Sequence, residues 1–96
     1  MTYFAYILYS PKLDKFYVGT TDNVEKRLEE HNSAKYPDSF TAKGIPWELF
    51  QKLECNSSDN AYKLERFIKK MKSASFIRRL KTESELLTSV LKKFQN

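Results

Sequence analysis

The sequence predicts an α+β fold, a small sheet of about three antiparallel strands flanked by helices, with an extra amphipathic helix at the C-terminal end. Three observations carry that expectation. Two short aromatic and β-branched runs, TYFAYILY and KFYVGT, lie on either side of a turn-forming SPKLD. Several later segments repeat their apolar residues at helical spacing behind Ser, Thr or Asp. With 96 residues, 41% of them hydrophobic, and seven Phe, six Tyr and one Trp, the chain has bulk for one core and no more.

The run Thr2 to Tyr9 is too short for a helix and rich in strand formers, so it reads as a strand; Lys15 to Thr20 reads as its antiparallel partner. Between them Pro11 and polar residues make a hairpin loop of about five residues. Asp22 with Glu25 matches a capping box and opens a helix over VEKRLEEHN. On its wheel Val24, Arg27, Leu28 and His31 share one arc and the glutamates take the other, so Arg27 and His31 point with the apolar residues. Ser33 to Gly44 has no periodicity and reads as a loop displaying Tyr36, Phe40, Thr41 and Lys43. After Pro46, the alternation of Trp47, Leu49 and Gln51 against Glu48, Phe50 and Lys52 suggests a third strand, with Trp47 as a core anchor.

Ser57-Ser58-Asp59 offers N-caps for a helix from about Asn60 to Lys72, whose apolar stripe is Leu64, Phe67, Ile68 and Met71 with Ala61 at its margin. FIRRL can continue as a shorter helix. Thr82 with Glu85 again matches a capping box, ahead of a helix carrying Leu86, Leu87, Val90, Leu91 and Phe94. That last helix, in 82–96, either docks on a main unit spanning 1–81 or meets a protein partner or a second copy of the chain.

The single Cys55 cannot form an internal disulfide, and one Cys with one His cannot build an ordinary zinc site. Any metal must therefore be held mainly by carboxylate and water. No long apolar run and no signal-peptide pattern is present, so the expected setting is cytoplasmic, without a membrane. The net charge of +5 is unevenly placed: 1–62 carries seven Lys/Arg against nine Asp/Glu, and 63–96 carries ten against three. A basic stretch of that kind suits either a polyanion or a solvated helix face.

Two tyrosines carry the chemistry if there is any. Tyr6 and Tyr17 share a face of the hairpin in every register whose paired numbers sum to an odd value. Gly19 nearby would weaken a strand unless something must approach the backbone closely. The same tyrosines can instead be core residues with wet hydroxyls.

The ordered series FAY ending at Tyr6, YVG from Tyr17 to Gly19, Arg27, His31 and Glu65 resembles the GIY-YIG nuclease superfamily, over about residues 3–80. It is similar to small single-domain members and to the nuclease domains of UvrC and of the Slx1 type. Phe4 and Ala5 stand for the first motif's leading Gly and Ile, and Val18 for the Ile of the second.

The resemblance implies phosphodiester hydrolysis with one divalent ion, Mg²⁺ or Mn²⁺, on DNA ahead of RNA, and a place in DNA repair or processing. It makes Glu65 the metal ligand, Arg27 the phosphate contact and His31 a residue beside the attacking water. Tyr6 and Tyr17 position that water, and one of them is a candidate base. Gly19 is structural at the site. Thr41, Lys43, Lys69, Lys70 and Lys72 are candidate contacts to nucleic acid. A hard Mg²⁺ needs few protein ligands, which suits a lone carboxylate. Glu65 can equally be the surface partner of Lys69 four residues on, and His31 a cation at its helix C-terminus. The Asn that many catalytic relatives carry about a dozen residues after the metal acid is missing from KSASFIRR, where Ser73 or Ser75 is the available substitute. The alternative function is a nucleic-acid-binding module of weak or no turnover, acting with a partner.

Overall fold

The computed structural model describes residues 2–33 and 40–94. Three strands, β1 (Tyr3–Ser10), β2 (Lys15–Thr21) and β3 (Glu48–Cys55), form one antiparallel sheet in the order β2-β1-β3. Its helices are α1 (Val24–Asn32), α2 (Phe40–Lys43), α3 (Ser58–Met71), α4 (Ala74–Thr82) and α5 (Ser84–Lys93). The α+β architecture expected from the sequence is therefore the one observed. The central position of β1 explains its unbroken apolar run, because a strand covered on both faces has no solvent side to make polar.

Strand periodicity divides the core in two. Ala5, Ile7 and Val18 face α3, α4 and α5 in a cluster with Leu53, Leu64, Ile68, Leu80 and Val90. On the other face Tyr6 and Leu8 pack with Val24 of α1 and with Trp47, the core anchor expected of it. The C-terminal helix lies on the body: it packs beside α4, Val90 is buried, and the Phe94 ring is 5.5 Å from that of Phe67.

Several local expectations are corrected. Helix α1 is capped by Asn23, not Asp22: Asn23 is extended (φ −143°) and its Oδ1 accepts the Lys26 N–H at 3.1 Å. Thr21 selects it, since its hydroxyl oxygen accepts the Asn23 N–H at 3.0 Å. Residues 40–43 form a helical turn within the expected loop. Tyr36 and the side chain of Phe40 lie outside the described residues. The alternation expected in β3 is broken by a bulge: Ile7 pairs with Gln51 but Leu8 with Leu49, so Phe50 is an extra residue. Phe50 and Gln51 consequently both serve the α4 side, where Phe50 meets Phe16 at 4.9 Å and Gln51 Nε2 donates to the Leu80 carbonyl. Met71, assigned to the apolar stripe of α3, is 44% exposed. The second capping box does not form, because the Thr82 hydroxyl donates back to the Arg78 carbonyl and leaves Glu83 as the cap of α5.

Candidate active site

Tyr6 pairs with Gly19 across the hairpin and Leu8 with Tyr17, an odd-sum register, so both tyrosines share the α1 face with ring centroids 6.2 Å apart. Gly19 is required there. A Cβ on it would lie 2.6 Å from the Tyr6 hydroxyl oxygen and 2.7 Å from Cζ, so the group approaching the backbone is the Tyr6 ring itself. With 1% exposure, that ring has little freedom to move aside.

Helix α1 brings His31 to the same place. Its Nε2 is 3.2 Å from the Tyr6 hydroxyl, and its ring stands edge-on to Tyr17 at 5.0 Å. His31 is 4% exposed, and its pKa is pulled below the ordinary value by burial first and by the Arg27 charge second. The imidazole is thus neutral at neutral pH. The Tyr6 phenol is pushed far above its ordinary pKa, first by burial and then by the nearness of Tyr17, with Glu65 adding to the rise and Arg27 opposing it. A protonated Tyr6 donates to Nε2 when the His31 proton sits on Nδ1. Behind this trio Asn32 fixes the end of α1 to the start of β3. Its Oδ1 accepts the Trp47 N–H at 2.6 Å, and its Nδ2 donates to the Trp47 carbonyl at 2.9 Å.

Glu65 approaches from the other face, on α3. Its side chain is 13% exposed; Oε1 accepts from the Thr20 hydroxyl at 2.5 Å and Oε2 from Lys69 Nζ at 2.7 Å. Glu65 therefore forms the ion pair with Lys69 that its spacing allows, and it also faces the hairpin through Thr20. The carboxylate and the tyrosines hang from opposite faces of the sheet and meet around β2, an edge strand. Lys69 joins the halves, with its ammonium 6.0 Å from the Tyr17 ring centroid. Arg27, half-buried with Nε 3.9 Å from Glu30, lines a polar cavity of about 370 Å³ together with Thr20, the partner of Glu65.

Of the remaining sequence candidates, Lys43, Lys70 and Lys72 are exposed. Thr41 is buried, not displayed, and its carbonyl accepts the Trp47 indole N–H at 2.6 Å. Ser73 caps α4 through the Phe76 N–H, which engages the hydroxyl proposed to stand for the missing Asn; Ser75 is exposed. Thr20 and Asn32 were not singled out by sequence. Thr20 follows Gly19 directly, and in a strand that neighbour must point at the opposite face, which was the available signal. No group of three or more His, Cys, Asp or Glu gathers among the described residues, and no helix there is long and apolar enough to cross a membrane.

The family model for the GIY-YIG catalytic domain matches residues 2–81. A UPF0213 protein of Syntrophus aciditrophicus (strain SB) is 39% identical over 69 residues, covering 72% of this chain and 79% of that protein. No solved structure matches significantly.

Proposed function

Because the chain belongs to the GIY-YIG catalytic domain family, a family of nucleases, we propose that it is a metal-dependent endonuclease acting on nucleic acid, DNA ahead of RNA, in repair or processing. The observation that carries this reading is the convergence around β2: a partly exposed carboxylate, an arginine, and a buried tyrosine-histidine pair reached through Tyr17. The donor chemistry fits a hard divalent ion. Glu65 offers a carboxylate with a hydroxyl beside it, and such an ion keeps several waters and accepts few protein ligands. When bound, Mg²⁺ or Mn²⁺ would polarise the phosphoryl oxygen and stabilise the leaving oxygen.

The chain's own residues supply the rest. Arg27 binds phosphate oxygens and offsets charge that develops in the transition state. Burial favours the protonated form of Tyr6, which argues against it as the base. His31 can accept a proton at neutral pH, but it is buried. Of the three rings only Tyr17 is not buried, so a relay would start there: Tyr17 takes the proton of the attacking water as it gives its own to Tyr6, and Tyr6 gives its own to His31 Nε2. Lys43, Lys69, Lys70 and Lys72 attract the phosphate backbone without regard to sequence.

The test is a cleavage screen with Mg²⁺ or Mn²⁺ on single-stranded, duplex and branched DNA and RNA. Nicking should fall by about 100-fold or more in Glu65→Ala and Arg27→Ala, with unchanged circular dichroism. If none of those substrates is cut, the enzymatic reading fails. Two observations favour a second reading, a binding module without turnover: Lys69 already engages one oxygen of Glu65, and Ser73 is committed to its cap. That reading predicts binding that weakens steeply with salt and gives no metal-dependent product.

A further inference from the structure

Helix α3 carries a second feature, turned away from the carboxylate. A groove of about 620 Å³ runs between α3 and the end of α5, with Phe67 and Phe94 on its floor and Lys63, Arg66, Lys69 and Lys70 around them. Lys93 adds its ammonium 5.1 Å from the Phe67 ring. Among the described residues no carboxylate lines the groove. Lys63 is paired with Asp59 and Lys69 with Glu65, whereas Arg66, Lys70 and Lys93 form no ion pair among the described residues. Between the groove and Glu65 stands Tyr62, 53% exposed, with the Arg66 guanidinium 5.7 Å from its ring. Successive steps of about 100° order these side chains around the helix as Glu65, Lys69, Tyr62, Arg66 and Lys70. Lys69 thus belongs both to the candidate cleavage centre and to the groove.

We propose that this face of α3, from Tyr62 into the groove, binds a single-stranded stretch of nucleic acid continuing from the phosphate at Glu65. It would thereby select substrates with an unpaired strand beside the cut. The exposed Tyr62 ring and the half-buried Phe67 and Phe94, set beside Arg66, Lys70 and Lys93, which have no ion pair among the described residues, offer partners for both things a single strand presents, open base faces and regularly spaced phosphates. A duplex hides its base faces and could use only the charges. An acidic peptide could meet the charges, but nothing would lead it to Lys69 and Glu65. The inference takes its substrate class from the nuclease reading, but its test does not depend on cleavage.

Binding is measured by fluorescence anisotropy without divalent metal, using labelled oligothymidylate and a blunt duplex. Tyr62→Ala should weaken the oligothymidylate about tenfold and leave the duplex unchanged, while Tyr62→Phe restores the wild-type value. Lys70→Glu should weaken both and flatten the salt dependence. All these positions are exposed, and thermal melting confirms that each variant folds. Wild-type oligothymidylate binding by Tyr62→Ala, or an equal loss on the duplex, overturns the proposal. So does an acidic aromatic peptide whose binding needs Tyr62 when that of oligothymidylate does not. A failed cleavage screen combined with Tyr62-dependent binding would remove the nuclease reading and leave the groove assignment standing.

Discussion

Gly19→Ala tests the packing on which the candidate site depends. Replacing a strand glycine by alanine ordinarily gains about 0.5–1 kcal/mol, because the unfolded chain loses freedom. Here the added Cβ meets Tyr6 at 2.6 Å from the hydroxyl oxygen, 2.7 Å from Cζ and 2.8 Å from Cε1, all closer than real Cβ contacts. Tyr6 is buried between Tyr17, His31 and the strand, so the clash costs about 1–3 kcal/mol of overpacking. The net expectation is a loss of about 1–2 kcal/mol, which for a domain of this size lowers the melting midpoint by roughly 4–16 °C. The second half of the cycle uses Tyr6→Leu, which removes the three offending atoms and keeps an apolar side chain. In that background Gly19→Ala should be neutral or stabilising, giving a coupling energy of about 1–3 kcal/mol. Urea denaturation followed by the fluorescence of buried Trp47 reads all four proteins. Equal costs of Gly19→Ala in both backgrounds would refute the claim that the glycine exists to admit Tyr6.

Three further outcomes follow from the same geometry. Asn32→Ala should lose about 1–3 kcal/mol in urea denaturation, because it strands the Trp47 N–H and carbonyl; a change below about 0.5 kcal/mol would show that water replaces the amide. His31 has a folded pKa below its unfolded value of about 6.5, so between the two the unfolded chain binds a proton that the folded one refuses. Stability is therefore intact above about pH 6.5 and falls as pH drops through that window, by at most about 1.4 kcal/mol per pH unit. His31 is the chain's single histidine, so His31→Gln should flatten this limb, and an unchanged slope would exclude it as the titrating group. Lys69→Gln should tighten Mn²⁺ binding in calorimetry by removing the ammonium from Glu65, and Glu65→Gln should abolish it; unchanged affinity in both would place the ion elsewhere.

The parts that were legible in the sequence are those set by local periodicity. The hairpin followed from two strand-forming runs around a turn, and Gly19 stood out because a strand interior disfavours glycine, whereas the shared face of Tyr6 and Tyr17 needed the odd-sum register that the sheet supplies. The bulge at Phe50 was not legible, because reading alternation assumes an unbroken ladder, and a two-for-one pairing is decided by what the partner strand packs against. Asp22 and Asn23 are equally good caps in isolation, and only the Thr21 hydroxyl folding onto the Asn23 N–H chooses between them. Thr41 reads as a displayed loop residue, yet its backbone carbonyl is the acceptor a buried indole needs six residues later. Thr20 escaped notice because its partner lies 45 residues away, on a helix whose docking angle no local pattern states.

The placement of Thr20 also shows why the segment from Tyr17 to Thr20 can organise both halves of the candidate site. In a strand, consecutive side chains point to opposite faces, so Tyr17 and Gly19 serve the α1 side while Val18 and Thr20 serve the α3 side. Gly19 makes room for Tyr6, which in turn reaches His31; Thr20 holds the carboxylate of Glu65. A strand in the middle of the sheet could present the same two faces, but its neighbours would keep them apart. On the edge strand β2, a molecule can reach around the open side to both. One residue of register slip would point Gly19 at α3 and Thr20 at Tyr6, removing both arrangements together. The pairing of Tyr6 with Gly19 is therefore the single structural condition on which the tyrosine-histidine pair and the carboxylate jointly depend.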